Sequence, residues 1–277
     1  MRVLVSADME GATGTTWPGD ILPGTPGWER MRPLFTGDVN ACVAGLFNGG
    51  ADQVVVNEAH DTQRNLLLAE LDPRARLLTG RHKPLAMMQG VQEADAVVFL
   101  GYHTGAGVHG VLAHTYLGAG LTGFRIDGEH ADEGRMNALT AAEHGVPVIL
   151  VTGDDLTCAA AARWAPGART AAVKECVSRY AALCLPPARS AALIRERAEQ
   201  AMGDHRRHGR PEPVSGPHRF EIDFHATHQA AAVALVPTVE QTGPCTVAFS
   251  APTATRAALT FKICCAIASG AAEAQYG

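Results

Sequence analysis

Four short apolar runs along the chain lack the alternation of apolar and polar positions that marks a half-exposed strand. They are rich in Val, Ile and Leu and lie at Val3–Ser6, Gln53–Val56, Ala96–Leu100 and Val148–Val151. Strands lose this alternation when helices cover both faces of a parallel sheet. The pattern therefore predicts buried, parallel strands.

Helical segments lie between some of these strands. Thr36–Asn48 begins at a residue type that caps helices and ends before Gly49 and Gly50, and Glu133–His144 ends before Gly145. Strands that alternate with helices indicate an α/β fold. We expect an open, doubly wound, mostly parallel sheet.

Three segments interrupt this pattern. Residues 13–33 contain several Gly and Pro and two Trp, which favours a functional loop or a subunit contact. Residues 101–123 are rich in Gly and contain His, and residues 203–219 predict an exposed link. We expect irregular structure in all three.

Beyond residue 219, strand-like and helix-like stretches alternate. They are Phe220–Phe224, Thr227–Leu235, Cys245–Ser250 and Thr253–Ser269. We expect a main α/β domain over residues 1–200 and a smaller C-terminal β-α-β-α lobe over residues 201–277, packed either separately or as one unit with the first.

Composition and charge narrow the class of protein. A formal net charge of −5 gives no basic surface for nucleic acid. The longest run without charged side chains, Tyr102–Phe124, holds several His and Gly and does not fit a membrane span, and Asp8 leaves no room for the apolar core of a signal peptide. We expect a soluble, cytoplasmic protein without a membrane partner.

Seven cysteines occur without any CxxC pair. Free cysteines are among the most buried residue types, and disulfides are rare in reducing compartments. We expect these side chains to act as small buried hydrophobes.

Carboxylates and imidazoles follow three of the predicted strands. Asp8 and Glu10 come after the first strand, His60 after the second and His103 after the third. Sites in open α/β sheets form at the carboxyl ends of the strands, so these side chains should meet at one edge. Glu133, at the start of a predicted helix, can reach the same edge.

Five mixed oxygen and nitrogen ligands exceed the three protein ligands of a catalytic zinc ion. They suit two divalent ions that share a carboxylate. Spacing alone does not exclude competing ligands, which are Glu58, Asp61, His82, His109, Asp154 and Asp155. Asp8 and Glu10 are also compatible with a solvated turn, and His60 with a helix cap or a surface position.

At these residues the sequence resembles a known family. The segments "SADMEG", "VNEAHDTQRN", "FLGYHTG", "LAHTY", "EGRMNAL", "GVPVILVTGDD" and "TAAVKECVSR" resemble, in order and spacing, the DppA family of D-aminopeptidases, the M55 metallopeptidases. The likeness runs from residue 1 to about residue 190 and continues more weakly to the end. It implies a binuclear zinc aminopeptidase that releases N-terminal D-amino acids, such as D-Ala, from short peptides.

The resemblance also implies roles for single residues. The metal ligands fall on Asp8, Glu10, His60, His103 and Glu133, with Asp8 bridging two Zn²⁺ ions per subunit. The catalytic histidine falls on His114 in "LAHTY", where its role as nucleophile, proton carrier or oxyanion stabiliser stays open. A purely structural His114 is also compatible with the sequence. Family members form ring-like homodecamers, so we expect a homo-oligomer, in the form of a decameric ring.

Two departures from the family pattern bear on substrate preference. Asp132 stands before the metal-binding Glu133 where the family typically has Gly, and Asp61 follows His60 where a small residue is usual. Both add negative charge beside expected ligands.

Other functions are compatible with parts of the sequence. "GAGVHG" at residues 105–110 matches a dinucleotide-binding fingerprint, but a poor helix former follows it. A different two-metal hydrolase, such as a phosphoesterase or amidase, and a non-catalytic dipeptide-binding protein are the further alternatives. Neither a Walker motif nor an arginine cluster supports a phosphate substrate.

Overall fold

The computed structural model describes residues 1–273, which form two sheets with helices packed on them. The strands are β1 (Arg2–Ala7), β2 (Gln53–Glu58), β3 (Ala75–Leu78), β4 (Ala96–Leu100), β5 (Leu121–Ile126), β6 (Glu129–His130), β7 (Val148–Asp154), β8 (Arg169–Ser178), β9 (Ala181–Cys184), β10 (His218–Phe224), β11 (Glu240–Gln241) and β12 (Thr246–Ala251). The α-helices are α1 (Pro26–Asn48), α2 (Glu133–Glu143), α3 (Asp155–Trp164), α4 (Pro187–His208), α5 (Thr227–Val233) and α6 (Ala254–Gly270).

The larger sheet has the strand order β3-β2-β1-β4-β7-β8-β9. Every neighbouring pair is parallel except β8 and β9. This confirms the expected α/β fold with a mostly parallel sheet. The strand order reverses between β1 and β4, and such a switch point leaves a crevice at the carboxyl ends of the strands.

The second sheet is antiparallel, with the order β11-β12-β10-β5-β6. Its core is aromatic, and Phe124, Phe220 and Phe261 pack with ring centroids 4.5–6.3 Å apart. Strands β5 and β6 come from residues 121–130, so the sheet draws on both sides of the expected boundary at residue 200, which itself lies inside α4. The division into folding units at that position stays a prediction.

Two expected element bounds were wrong. The helix expected over Thr36–Asn48 begins at Pro26, and the hydroxyl of Thr25 caps it by accepting a hydrogen bond from the backbone N–H of Trp28. Pro33 lies inside this helix, where its ring removes one backbone donor without ending the helix. Residues 203–208, expected in an exposed link, are the last residues of α4.

The four elements expected beyond residue 219 are present as β10, α5, β12 and α6. All seven cysteines are free thiols in the structure. Among the helices of residues 1–273, none has the length and apolarity that a membrane crossing requires.

Candidate active site

The expected site residues meet at the switch point of the larger sheet. Asp8 directly follows β1, and β1 pairs with both β2 and β4. His60 and His103 follow β2 and β4, and Glu133 is the first residue of α2. The five expected ligands are all buried: Asp8, Glu10, His60, His103 and Glu133.

Two glycines let the ends of β1 and β4 approach each other. The backbone N–H of Gly11 donates to the carbonyl of Gly101 at 2.7 Å. A Cβ at Gly11 would collide with the carbonyl of Tyr102, and a Cβ at Gly101, whose φ is +70°, would collide with the carbonyl of Asp8. The Gly in each of "DMEG" and "LGYH" therefore sets the separation of Asp8 from His103.

Asp8 belongs to two clusters of potential ligands. In the first, His60 Nδ1 lies 2.9 Å from Glu10 Oε2 and 3.4 Å from Asp8 Oδ1. In the second, His103 Nε2 lies 3.6 Å from both Asp8 Oδ2 and Glu133 Oε1. One carboxylate thus directs one oxygen to each cluster, which is the arrangement of a bridging ligand.

A third cluster includes His114. Its Nε2 lies 3.6 Å from Glu10 Oε1, and its ring stacks on that of His103 with centroids 4.3 Å apart. This position is compatible with a metal ligand as well as with a group that faces the substrate.

Backbone carbonyls fix the tautomers of the three imidazoles. His60 Nε2 lies 2.9 Å from the carbonyl of Ile21, His103 Nδ1 lies 2.9 Å from that of Thr104, and His114 Nδ1 lies 2.8 Å from that of Leu112. A carbonyl only accepts, so each of these nitrogens must carry the proton. In the neutral rings the free lone pairs are then those of His60 Nδ1, His103 Nε2 and His114 Nε2, which all face the carboxylates.

The electrostatics indicate a deficit of positive charge. Burial, with repulsion from Glu10, raises the pKa of Asp8 to about 7, and burial raises the pKa of Glu133 to about 8. Burial works to lower the pKa of His60, but the adjacent Glu10 and Asp8 hold it well above its usual value. Asp8 Oδ2 and Glu10 Oε2, both fully buried, accept no hydrogen bond from residues 1–273.

Such a cluster fits bound divalent cations. Buried carboxylates without partners are costly, and they either take up protons or bind metal. The donor set of carboxylate oxygens and imidazole nitrogens suits zinc.

Side chains of the segment "VNEAHDTQRN" hold the loop that contains His60 through a network of hydrogen bonds. The sequence patterns did not predict this network. The Glu58 carboxylate accepts hydrogen bonds from the backbone N–H groups of Asn65 and Leu66, and the Asn65 side-chain amide donates to the carbonyl of His60 at 2.8 Å. Trp28 Nε1 donates to Asn65 Oδ1 at 3.0 Å. Glu58 therefore shapes the loop and lies outside the three clusters.

The other competing ligands also lie outside these clusters. Asp154 caps α3 by accepting from Thr157 and also accepts from the N–H of Val111. Asp155 accepts from the backbone of Cys176, and His109 is exposed.

The two residues that depart from the family pattern, Asp132 and Asp61, lie in different parts of the site. Asp132 is the N-cap of α2, where its carboxylate accepts from the backbone N–H of Arg135 at 2.7 Å. Asp61 is exposed and borders the cavity in front of the clusters, as does His82.

Lys174 is a site residue that the sequence patterns did not reveal. Its buried ammonium donates to the carbonyls of Glu10, Ala12 and Thr15 at 2.5, 3.0 and 2.6 Å. Burial lowers its pKa to about 8. The one sequence feature that could have revealed Lys174 is its place as the single charged residue in an otherwise apolar part of β8.

The residues 105–110 that match the dinucleotide fingerprint lie in irregular structure that continues to β5. The fingerprint requires a helix whose N-terminus meets the pyrophosphate. The dinucleotide-binding hypothesis was therefore wrong.

A cavity of about 620 Å³ opens onto the clusters. One wall is a face of α6, formed by Lys262, Cys265, Ala266 and Ser269 at helical spacing. Five lining residues have left-handed backbones, with φ between 40° and 65°: Asp61, Gln63, His82, Ala86 and Tyr116. Such conformations are costly for side-chain-bearing residues and are concentrated at functional sites.

Three comparisons place the chain among known proteins. The sequence profile of the Peptidase M55 family, described as D-aminopeptidase, matches residues 1–263. A D-aminopeptidase of Bacillus subtilis (strain 168) is 35% identical over 255 residues, which cover 91% of this chain and 92% of that protein. The solved structure of the Zn-dependent D-aminopeptidase DppA from Bacillus subtilis, described as a self-compartmentalizing protease, matches with a TM-score of 0.92 and 33% identity over 97% of this chain and 98% of that one.

Proposed function

The chain belongs to the Peptidase M55 family of D-aminopeptidases, and we propose that it is a binuclear zinc aminopeptidase that releases N-terminal D-amino acids, such as D-Ala, from dipeptides. The observation that carries this proposal is the position of Asp8, which shares its two carboxylate oxygens between two buried ligand clusters. The zinc dependence named for the DppA structure supports the choice of metal.

In this proposal Asp8, Glu10 and His60 would hold one Zn²⁺ ion, and Asp8, His103 and Glu133 would hold the other. Bound zinc supplies Lewis-acid polarisation of the scissile carbonyl and lowers the pKa of the attacking water. The protein fixes the ligand geometry through the carbonyls of Ile21 and Thr104, which orient the two imidazoles.

His114 acts on the substrate. Burial, with repulsion from His103, lowers its pKa to about 4, so the ring is neutral near pH 7. Its protonated Nδ1 is fixed by the carbonyl of Leu112, which leaves Nε2 free to take a proton. The same ring, once protonated, can return that proton to the leaving amine.

The protein acts as a homo-oligomer in the cytoplasm, in the form of a decameric ring. The description of the DppA structure as self-compartmentalizing supports assembly. Exposed apolar side chains on the β8–β9 hairpin offer a surface for it.

A direct assay tests the reaction. Zinc-loaded protein is incubated in parallel with D-Ala-D-Ala, L-Ala-L-Ala and p-nitrophenyl phosphate. We expect release of D-Ala from the first peptide at the highest rate. Cleavage of the phosphate ester alone would instead indicate a phosphoesterase, and binding of dipeptide without turnover would indicate a binding protein.

Elemental analysis tests the metal centre. We expect close to two zinc ions per chain, and loss of both in Asp8→Ala because Asp8 bridges them. Retention of both ions by this variant would contradict the bridge, and absence of bound metal after zinc soaking at neutral pH would contradict the whole centre.

A further inference from the structure

Basic side chains border the active-site cavity in addition to the acidic clusters. Arg81, His82 and Lys262 line it together with Asp8, Glu10 and Glu133. The acids have an explanation in the proposed metal ions, whereas the basic groups have none. A dipeptide substrate is a zwitterion, with an ammonium at the end to be released and a carboxylate at the other end.

Lys262 is held towards the cavity by a rigid element. It shares a face of α6 with Cys265, Ala266 and Ser269, and Cys265 is buried. Its ammonium is half-buried, and among residues 1–273 it donates to the carbonyl of Lys83 alone, at 3.3 Å. Within residues 1–273 no carboxylate lies within 4 Å of it.

Arg81 reaches the same cavity from the opposite part of the fold, after β3 at the edge of the larger sheet. It forms no ion pair with a carboxylate of the described chain. Arg74, a few residues earlier, pairs with Asp72 at 2.6 Å. The guanidinium of Arg81 is therefore free to bind an anion, and its planar donors match a carboxylate.

Resting on the proposed function, we propose that Lys262 and Arg81 bind the free α-carboxylate of the peptide substrate. The amino end of the peptide then lies at the zinc clusters, and the carboxylate lies against the two basic groups. Each residue of an extended peptide adds about 3.3–3.6 Å, so only short peptides place their terminal carboxylate within the cavity. These two residues would thus determine a preference for short peptides with an unblocked carboxyl end.

The test compares D-Ala-D-Ala with its C-terminal amide. We expect the parent protein to show at least about 10-fold higher kcat/KM for the free acid, in line with one charged hydrogen bond. Lys262→Met and Arg81→Met should each lose most of this preference, because kcat/KM falls much more for the free acid than for the amide.

Two control variants replace a basic residue by Met at positions that do not line the cavity. Arg256→Met lies on the exposed side of α6 and Arg76→Met on β3, and both should retain the preference. Zinc content and Tm are measured for every variant, so that a folding defect is not read as a binding defect. Retention of the preference by a folded double variant of Lys262 and Arg81 overturns the inference.

The assay separates two kinds of failure. If the parent hydrolyses the free acid and the amide equally, this inference is overturned and the proposed function stands. If the parent hydrolyses neither peptide, the proposed function is overturned and this inference falls with it.

Discussion

At the scale of the residue, His114 is the group whose role the site geometry defines least. It lies 3.6 Å from Glu10 and stacks on His103, so a ligand role and a substrate role are both geometrically possible. The two clusters that share Asp8 are complete without His114. The pKa of His114 is lowered to about 4, so its imidazole is neutral near pH 7. These facts favour a role in proton transfer.

We therefore expect His114→Ala to keep the zinc content of the parent. It should lower kcat by roughly 10²–10⁴, the range typical of a lost acid, base or oxyanion partner. Elemental analysis and steady-state kinetics on the same sample provide the measurement. Loss of zinc would identify His114 as a ligand, and near-normal turnover would leave it a structural residue.

The raised pKa values of the site predict how stability depends on pH. An acid whose pKa is higher in the folded than in the unfolded chain stabilises the fold at low pH, and this contribution disappears as the pH rises through the folded value. For Asp8 the window runs from 3.8 to about 7, and for Glu133 from 4.5 to about 8. Glu10, whose pKa is lowered, has the opposite sign and loses its contribution only in acid.

Metal-free protein should therefore lose stability between about pH 5 and about pH 8, because burial and repulsion from neighbouring carboxylates make the ionised forms of Asp8 and Glu133 unfavourable. Zinc should remove this loss, so the increase in Tm on zinc binding should be larger at the higher pH. Thermal unfolding of zinc-loaded and chelator-treated samples at both pH values gives the measurement. An increase in Tm that is the same at both values, or larger at the lower one, would contradict the assigned charges.

Five of the six residues that the structure brings together follow a strand end or begin a helix, so the predicted fold places them at one edge. His114 lies in irregular structure between β4 and β5, and only the family resemblance identified it. Sequence reasoning did not identify Glu58 or Lys174 as supports. Both side chains bind backbone groups of loops. The direction of a loop carbonyl or N–H group cannot be predicted from the pattern of side chains along the sequence. The same limit applies to the carbonyls that fix the three imidazole tautomers.

At the scale of the element, Lys174 connects β8 to the loop that follows β1. Three loop carbonyls converge on its ammonium, and one of them belongs to Glu10. This interaction holds the loop that carries two expected ligands against the sheet. It also accounts for a buried ammonium close to the proposed metal ligands.

We expect Lys174→Met to destabilise the protein by on the order of 3 kcal/mol, because three buried carbonyls lose their donor. A drop in Tm of roughly 6–12 °C and weaker zinc binding should follow. Glu175→Gln, a change at the neighbouring exposed position of the same strand, serves as the control and should leave both unchanged. An unaltered Tm in Lys174→Met would show that the loop does not depend on this side chain.

Element existence was easier to predict than element extent. The four apolar runs became central strands because buried parallel strands have a strong compositional signal. Helix α1 was underestimated because Gly27 and Pro33 are loop residues by local preference, while packing of Trp28 and Phe35 in the core overrides that preference. The short strand β6 is exposed and owes its position to pairing with β5, which no local pattern reports.

At the scale of the whole molecule, the active site depends on both sheets. Four of the proposed ligands follow the ends of parallel strands, and the fifth, Glu133, begins α2. Helix α6, which packs on the antiparallel sheet, forms one wall of the cavity. This arrangement could not be predicted from the sequence. Strands β5 and β6 join the second sheet although they precede α2 and β7 of the first region.

Exposed apolar side chains lie on the β8–β9 hairpin, at the outer edge of the larger sheet, and beside it. This hairpin patch consists of Trp17, Val177, Tyr180 and Leu183, and the rings of Trp17 and Tyr180 lie 5.2 Å apart. The patch adjoins both site loops. The carbonyl of Arg179 accepts from the N–H of Leu112, near His114, and Trp17 belongs to the loop whose Ile21 carbonyl orients His60.

We expect this patch to be buried between copies of the chain, because exposed apolar patches of this kind mark interaction surfaces. The double variant Val177→Glu with Leu183→Glu, at positions 72% and 66% exposed, should dissociate the oligomer into smaller species, as measured by light scattering. Because the patch adjoins the loops of His60 and His114, we expect assembly to support those loops, and kcat/KM should fall together with the mass. Leu235→Glu, at a position 84% exposed outside the patch, is the matched control and should change neither quantity. A parental mass in the double variant would place the interface elsewhere, and a dissociated but fully active variant would separate assembly from the integrity of the site.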